Sequence, residues 1–248
     1  MKIIASDYDG TLNEGGVGEE KRIAIRKWRE AGNLFGIVSG RGIGNIVGLA
    51  KEDGIECDFL LGDNGASVAK GNGDVLSEAT CDGQIAREII EYFYSIGCTW
   101  SWVRPYPECI VVPEGEAKYP WEYSLSNLPK IEKFTQISAS LGDDDKAKAA
   151  ADELTVRYGD KLNILQNGCC IDIVRLDVNK AVGIYKLLEI VGAKYEDVIT
   201  VGDNYNDADM IREFRSYAMD NAVPLIKELA DATVPGVTEL IYRELGEK

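Results

Sequence analysis

The sequence predicts a three-layer α/β/α core built on a parallel sheet, interrupted by an inserted α+β module. Three observations predict it. Residues 1–79 and 178–248 alternate short apolar strands with amphipathic helices, the rhythm of a parallel sheet covered on both faces. Between them, residues 80–177 cluster their strands in pairs, as a mixed or antiparallel sheet does. Carboxylate-rich turns also stand directly behind apolar strands in the outer segments, where open α/β sheets bind ligands.

The elements follow in order. Residues 2–6 read as a strand that empties into Asp7-Tyr8-Asp9-Gly10-Thr11. Helical periodicity over 19–31 stops at Gly32; 34–38 is a second strand, 42–51 a helix ending near Gly54, and 58–61 a third strand. Asn64-Gly65 and Asn72-Gly73 are turn or hairpin signals. The middle segment predicts a helix over 82–95, strands over 98–103 and 109–112, a further helix and strand, a helix over 143–158, and strands over 162–165 and 169–174. Asp143-Asp144-Asp145 caps that last helix, because carboxylates favour a helix amino terminus. The final segment predicts a helix over 179–191 closing at Gly192, a strand over 197–201, a helix over 206–214, a strand over 216–219, and helices near 224–229 and 237–245. No internal repeat or low-complexity tract interrupts this pattern.

Composition narrows the chemistry. A chain of 248 residues with 45% apolar and 28% charged residues is an ordinary globular protein able to bury a sizeable core. The net charge of −15 argues against nucleic acid or an anionic membrane as partner. A small anionic substrate remains compatible, since a divalent cation reverses the local field. No run approaches the roughly 18 apolar residues of a membrane span, and no signal-peptide pattern is present, so a cytoplasmic location is expected. Cys57, Cys81, Cys98, Cys109, Cys169 and Cys170 show no C-x-x-C spacing and read as reduced thiols. Histidine is absent, which removes Ser-His and Cys-His nucleophile systems and histidine zinc sites. Hydrolytic chemistry here must run on carboxylates, hydroxyls, lysine and a hard metal.

Four motifs carry such chemistry. Asp7 and Asp9 are like charges that repel unless a cation or proton offsets them; the bland alternative is a solvated Asp-Gly turn. Val38-Ser39-Gly40-Arg41 places a hydroxyl and free N–H groups before a helix amino terminus, suited to an anion, although Ser also caps helices routinely. Lys180 opens a helix after the middle module, where a surface lysine is the ordinary reading. Val201-Gly202-Asp203-Asn204-Tyr205-Asn206-Asp207 sets two carboxylates four apart at a strand end.

The ordered set of D-x-D-G-T, Ser, Lys and G-D-x-x-N-D, with Ala218-Met219-Asp220-Asn221-Ala222 downstream, resembles the haloacid dehalogenase-like hydrolases over essentially the whole chain. Within them it is similar to the Cof-type phosphatases, whose Rossmann-like core carries a large α/β cap of type IIB. The resemblance implies that 80–177 is a cap for substrate selection. It further implies that Asp7 is the nucleophile, forming an aspartyl phosphate, and that Asp9 is the general acid/base. Mg2+ would be held by Asp7, the backbone carbonyl of Asp9 and Asp203, with Asp207 in support. Ser39 and Lys180 would bind phosphate, with Gly10, Thr11, Gly40, Asn64 and Asn206 shaping the phosphate and substrate loops.

The resemblance has small departures: Ala181 follows Lys180 where Gly is common, Asp220 replaces a small residue, and the tail after Asp231 is short. The implied substrate is a small phosphate monoester such as a sugar phosphate or phosphoglycolate, acted on by a monomer or weak homodimer. Cap candidates for its recognition are Arg104, Tyr106, Glu108, Lys118 and Trp121. Three alternatives compete. A phosphomutase would need a cap that presents a sugar in two orientations. A receiver-type phosphoacceptor domain lacks the large insertion and the second carboxylate. A catalytically dead binding protein would have lost motif residues, all of which stand here.

Overall fold

The computed structural model describes residues 1–104, 110–113 and 116–247. The chain divides into two compact units, residues 1–77 with 179–248, and residues 78–178. In chain order the first part holds β1 (Ile3–Ser6), α1 (Glu19–Glu30), β2 (Leu34–Val38), α2 (Ile43–Glu52), β3 (Phe59–Gly62), β4 (Ser67–Lys70) and β5 (Val75–Glu78). The middle holds β6 (Cys81–Asp82), α3 (Ala86–Ser95), β7 (Trp100–Arg104), β8 (Ile110–Pro113), β9 (Lys133–Phe134), β10 (Gln136–Ser140), α4 (Asp144–Tyr158), β11 (Leu162–Asn167) and β12 (Cys170–Arg175). The last part holds α5 (Lys180–Val191), β13 (Val198–Gly202), α6 (Ala208–Glu213), β14 (Arg215–Met219), α7 (Pro224–Leu229), β15 (Ala232–Val234) and α8 (Val237–Leu245).

The discontinuous unit is built on an eight-stranded sheet in the order β15-β14-β13-β1-β2-β3-β4-β5. Six strands from β15 to β3 run parallel, and their apolar runs are buried on both faces, as covered parallel strands require. The chain steps outward from β1 through β2 and β3 on one side, and from β13 through β14 and β15 on the other. The order therefore reverses between β1 and β13, the position at which open α/β sheets form a ligand crevice. In-register pairing of Ser6 with both Val201 and Ile37 brings the carboxyl ends of these strands to one level. Trp28 of α1 is fully buried beneath them and donates its indole N–H to the Leu34 carbonyl at 2.8 Å.

The sheet is not wholly parallel. β4 returns antiparallel to β3 through a tight turn in which Asp63, Asn64 and Gly65 all take positive φ (54°, 52° and 95°). A left-handed pair is rare outside Gly and Asn/Asp, and it reverses the chain too sharply for a crossover helix.

The 78–178 unit holds a five-stranded antiparallel sheet in the order β11-β12-β10-β7-β8. Helices α3 and α4 pack against one face of it through Ile89, Ile90, Phe93, Ala150 and Leu154, meeting Val103, Ile137, Ala139, Ile171 and Ile173. Asp143 caps α4 by accepting from the Lys146 N–H at 2.9 Å. Two expectations are corrected here. The helix expected between 112 and 143 is, among the described residues, only a 3-10 turn at Leu125–Asn127, since Pro113, Pro120 and Pro129 deny a longer helix its amide donors. The helix expected over 206–214 is split into a 3-10 turn at Tyr205–Asp207 followed by α6. Cys57, Cys81, Cys98, Cys169 and Cys170 are free thiols, with Cys170 opening β12; Cys109 lies outside the described residues.

Candidate active site

The Asp7 N–H donates to the Val201 carbonyl at 3.0 Å, carrying the sheet one residue beyond β1 and fixing where the Asp7 side chain starts. Lys180 approaches from the first turn of α5. That helix begins where Asn179 accepts from the Val182 N–H at 2.9 Å, and the lysine runs inward to complete burial. Its first turn sits directly on the β3–β4 turn, because Gly183 and Gly65 face one another. A Cβ at Gly183 would lie 2.6 Å from the Gly65 Cα, and one at Gly65 2.3 Å from the Asn179 carbonyl oxygen.

The Lys180 ammonium donates to Asp7 Oδ1 at 2.7 Å and to Asp207 Oδ1. The other Asp207 oxygen accepts from the backbone N–H groups of Asp203 (2.9 Å) and Asn204 (3.0 Å). Asp207 thus ties the lysine to the turn behind β13. Asp203 accepts from the Thr11 hydroxyl at 2.7 Å. Its carboxylate also lies against Gly10, where φ is +80° and a Cβ would stand 2.4 Å from Oδ2, so only glycine fits. Carboxylate oxygens of Asp7, Asp203 and Asp207 all lie within 4.8 Å of one another.

Three clustered carboxylates face one ammonium, and their electrostatics follow. Burial pushes the Asp7 carboxyl well above the ordinary range; Lys180 opposes this, while Asp207 and Asp203 add to it. Asp203 is pushed up to about 6, chiefly by burial and against the Thr11 hydrogen bond. Burial works against the Lys180 charge, but Asp207 and Asp7 outweigh it and hold the ammonium above its usual range. The cluster is short of positive charge and offers hard oxygen donors in a compact group. Such a set fits a small divalent cation of the Mg2+ kind.

Asp9 takes a different position. Both its oxygens pair with the Arg41 guanidinium, Oδ2 with Nε at 2.6 Å and Oδ1 with Nη2 at 2.7 Å, and its side chain is 53% exposed. Arg41 is steadied by Asn45 Oδ1 at 3.0 Å and lies over the Tyr8 ring. Tyr8 in turn donates to Asp53, which anchors the loop after β1 to the end of α2. Ser39 is buried just past β2, where its hydroxyl oxygen accepts from the Arg41 N–H at 3.1 Å; Gly40 links the two. The Ser39 carbonyl accepts from the Asn64 N–H at 3.0 Å, and the Asn206 side chain donates to Asn64 Oδ1 at 3.2 Å. Asn221 reaches back to the Gly10 carbonyl at 2.8 Å.

The structure thus joins Asp7, Asp203, Asp207, Lys180, Thr11 and Gly10 in one cluster and holds Ser39, Asn64 and Asn206 in a chain beside it. The Asp9 side chain stands apart from the cluster, on Arg41. Sequence reading quoted Arg41 and Asn221 within motifs but assigned them no part, and it gave no hint of the Gly65–Gly183 contact. The cap candidates lie in the 78–178 unit: Arg104 stacks on Trp102, Trp121 stacks on Tyr119 at 5.2 Å, and the Lys118 N–H donates to Glu122 at 2.7 Å. Tyr106 and Glu108 lie outside the described residues.

Residues 4–239 match the family model of the haloacid dehalogenase-like hydrolases. The chain belongs to this family. Among curated relatives, this haloacid dehalogenase-like hydrolase is 26% identical over 242 residues to the 5-amino-6-(5-phospho-D-ribitylamino)uracil phosphatase YcsE of Bacillus subtilis, covering 93% of this chain and 88% of that protein. It is 28% identical over 262 residues to a phosphoglycolate phosphatase of Methanothermobacter thermautotrophicus, covering 99% and 100% of the two chains. Its fold matches that of a subclass IIB sugar phosphatase with a TM-score of 0.81 at 19% identity, over 99% of each chain. With family membership and relatives that are themselves named phosphatases, this hydrolase is a phosphoric monoester hydrolase.

Proposed function

We propose that the protein is a Mg2+-dependent phosphatase that hydrolyses a small phosphate monoester through an aspartyl phosphate on Asp7. The observation that carries this reading is the buried Lys180 bridging Asp7 and Asp207 beside Asp203. Phosphoryl transfer is catalysed by positioning and charge neutralisation, and this cluster is arranged for both. A divalent cation held by Asp7, the Asp9 carbonyl and Asp203 would supply the neutralisation that three carboxylates lack.

Lys180 holds Asp7 through Oδ1, which orients the carboxylate for attack on phosphorus, and offers its charge to a phosphoryl oxygen. The Ser39 hydroxyl would bind a second oxygen. Asp9 would leave Arg41, protonate the departing ester oxygen, and then take a proton from the water that hydrolyses the phosphoenzyme. Asp207 fixes Lys180 and the Asp203 turn. Thr11, Gly10, Asn64 and Asn206 shape the surrounding loops. The 78–178 unit would act as the cap that selects the organic part of the ester. The relatives' substrates, a ribitylamino-uracil phosphate and phosphoglycolate, mark the size of ester expected. Among the described residues no helix is long and apolar enough to cross a membrane.

Release of phosphate from nitrophenyl phosphate, followed with Mg2+ and with excess chelator, tests the reading. Activity should vanish in chelator and return with Mg2+, and acid-quenched enzyme should carry phosphate on Asp7. Undiminished turnover in chelator, or label on another residue, overturns it.

A further inference from the structure

Among the described residues, the motif carboxylates pair with two cations. Lys180 is fully buried and committed to Asp7 and Asp207. Arg41 is the other, and it is held differently. Its side chain is 41% exposed and that of its partner Asp9 53%, so both are open to a ligand.

The chain gives Arg41 a fixed place beside the phosphate-binding groups of its own unit. It stands two residues past Ser39, whose hydroxyl oxygen accepts the Arg41 N–H at 3.1 Å. The Arg41 carbonyl accepts from the Asp63 N–H at 2.9 Å, which ties the same segment to the β3–β4 turn. β1 and β2 pair in register, Ser6 with Ile37, so Asp7 and Asp9 leave one strand beside Ser39 and Arg41 leaving the next. Asn45 Oδ1 accepts from Nη1 at 3.0 Å, and the Tyr8 ring centre lies 5.9 Å from the guanidinium carbon. These contacts steady the guanidinium and leave the edge formed by Nε and Nη2 to Asp9.

What sits on that edge is a carboxylate. Both oxygens of Asp9 lie on it, at 2.6 Å and 2.7 Å, in the fork geometry by which arginine reads a carboxylate. The resting site thus already displays the group that the fork accepts. The same carboxylate must serve the ester oxygen during turnover, yet the compact carboxylate cluster gathers Asp7, Asp203 and Asp207 without it. An exposed ion pair adds little to stability, so a permanent brace is a poor account of this contact. When Asp9 leaves, the arginine loses its partner at a site whose other cation is already engaged. A carboxylate on the substrate would exchange one fork for an equivalent one and free Asp9 as the phosphate arrives. An ester whose organic part is neutral offers nothing in exchange.

We propose that Arg41 is the seat of a second anionic group of the substrate, a carboxylate on a short spacer from the ester oxygen, and that capture of this group releases Asp9 for proton transfer. The substrate class is then a phosphorylated hydroxy acid, in preference to a neutral sugar or alcohol phosphate. The inference deepens the phosphatase reading and rests on it, and the two can fail separately.

The probes are 2-phosphoglycolate and 2-hydroxyethyl phosphate, which match in length and differ by the carboxylate. With Mg2+, 2-phosphoglycolate should be the better substrate by roughly 10- to 100-fold in kcat/KM, the range of a hydrogen bond between charged groups. The advantage should appear in kcat as well as in KM, because release of Asp9 acts on the chemical step. Arg41→Gln should bring the two esters to nearly equal kcat/KM. Arg41→Lys keeps the charge without the fork and should restore only part of the difference. Equal wild-type kcat/KM for the two esters, or a difference that survives in Arg41→Gln, overturns the inference while the phosphatase reading stands. An advantage confined to KM overturns the release of Asp9. If neither ester nor nitrophenyl phosphate is hydrolysed with Mg2+, the phosphatase reading fails, and calorimetric titration with the two esters judges Arg41. Tighter binding of 2-phosphoglycolate that is lost in Arg41→Gln sustains the seat, and equal affinities overturn it.

Discussion

Replacing Lys180 by Met removes the cation at the centre of the site while keeping chain length and most of the volume. The ammonium is fully buried and donates to Asp7 and Asp207, so the variant leaves two buried carboxylates facing each other with Asp203 alongside. Breaking a buried ion pair from one side costs about 3–5 kcal/mol. For a chain of this size each kcal/mol moves Tm by about 2–4 °C, giving a fall of roughly 6–20 °C. The loss depends on pH, and its sign is fixed. Asp7 already has a folded-state pKa above its ordinary value, and removing Lys180 raises it further. A carboxyl shifted upward favours the folded state at low pH and loses that contribution as pH rises through the folded pKa. The deficit of Lys180→Met should therefore be small at pH 5 and full at pH 7.5. Thermal unfolding of both proteins in chelator at the two pH values measures it, and Mg2+ at pH 7.5 should recover part of the loss. Phosphatase activity should fall by at least about 10²-fold, as for loss of one preorganised electrostatic group. A Tm within 2–4 °C of wild type at pH 7.5, equivalent to about 1 kcal/mol or less, would refute the reasoning. A deficit larger at pH 5 than at pH 7.5 would do so as well.

Two further outcomes are expected. Asp9→Asn breaks only an exposed pair with Arg41, worth about 0–1 kcal/mol, so Tm should hardly move. Its dephosphorylation should slow by roughly 10²–10⁴-fold, giving a burst of nitrophenol and a trapped phosphate on Asp7 in quenched-flow and mass measurements; a linear time course without trapped phosphate contradicts the role. The metal-free wild type should gain stability as pH falls from 7.5 toward 5, because Asp7 and Asp203 (about 6) take up protons more readily folded than unfolded. Saturating Mg2+ should flatten or reverse that slope in thermal scans, and an Asp203→Asn variant should show a shallower slope without metal.

The parts legible in the sequence are those written locally. An apolar run that ends in carboxylates fixes both a strand and the level at which its side chains emerge, so the placement of Asp7, Ser39 and Asp203 at one sheet edge follows from the chain. The Asp143 cap and the Gly192 helix end are local in the same sense. What escaped depends on residues far apart in the chain. Asp9 and Arg41 are 32 positions apart, and nothing near either one signals a bidentate pair. The Gly65–Gly183 contact joins a turn and a helix across the whole middle segment, where each glycine alone reads only as a break in propensity. The motif around Asp207 suggests support for a metal, but not that its two oxygens serve a lysine and two amides at once. The helix expected between 112 and 143 is overruled by the prolines of that stretch.

The pairing of β1 with β13, Ile3 with Val198, has a consequence for how the protein is made. A ribosome delivers Asp7 first and Asp207 two hundred residues later. Until β13 emerges one edge of β1 has no neighbour, and Asp7 stands without Asp203 and Asp207. The 78–178 segment closes its own sheet from contiguous chain and so can fold while the rest is still being translated. The carboxylate cluster of a nascent chain is therefore incomplete until nearly its last quarter has emerged. A polypeptide cut short before β13 presents an unpaired apolar strand edge instead of a weakened enzyme, the kind of species that aggregates and is cleared by proteolysis.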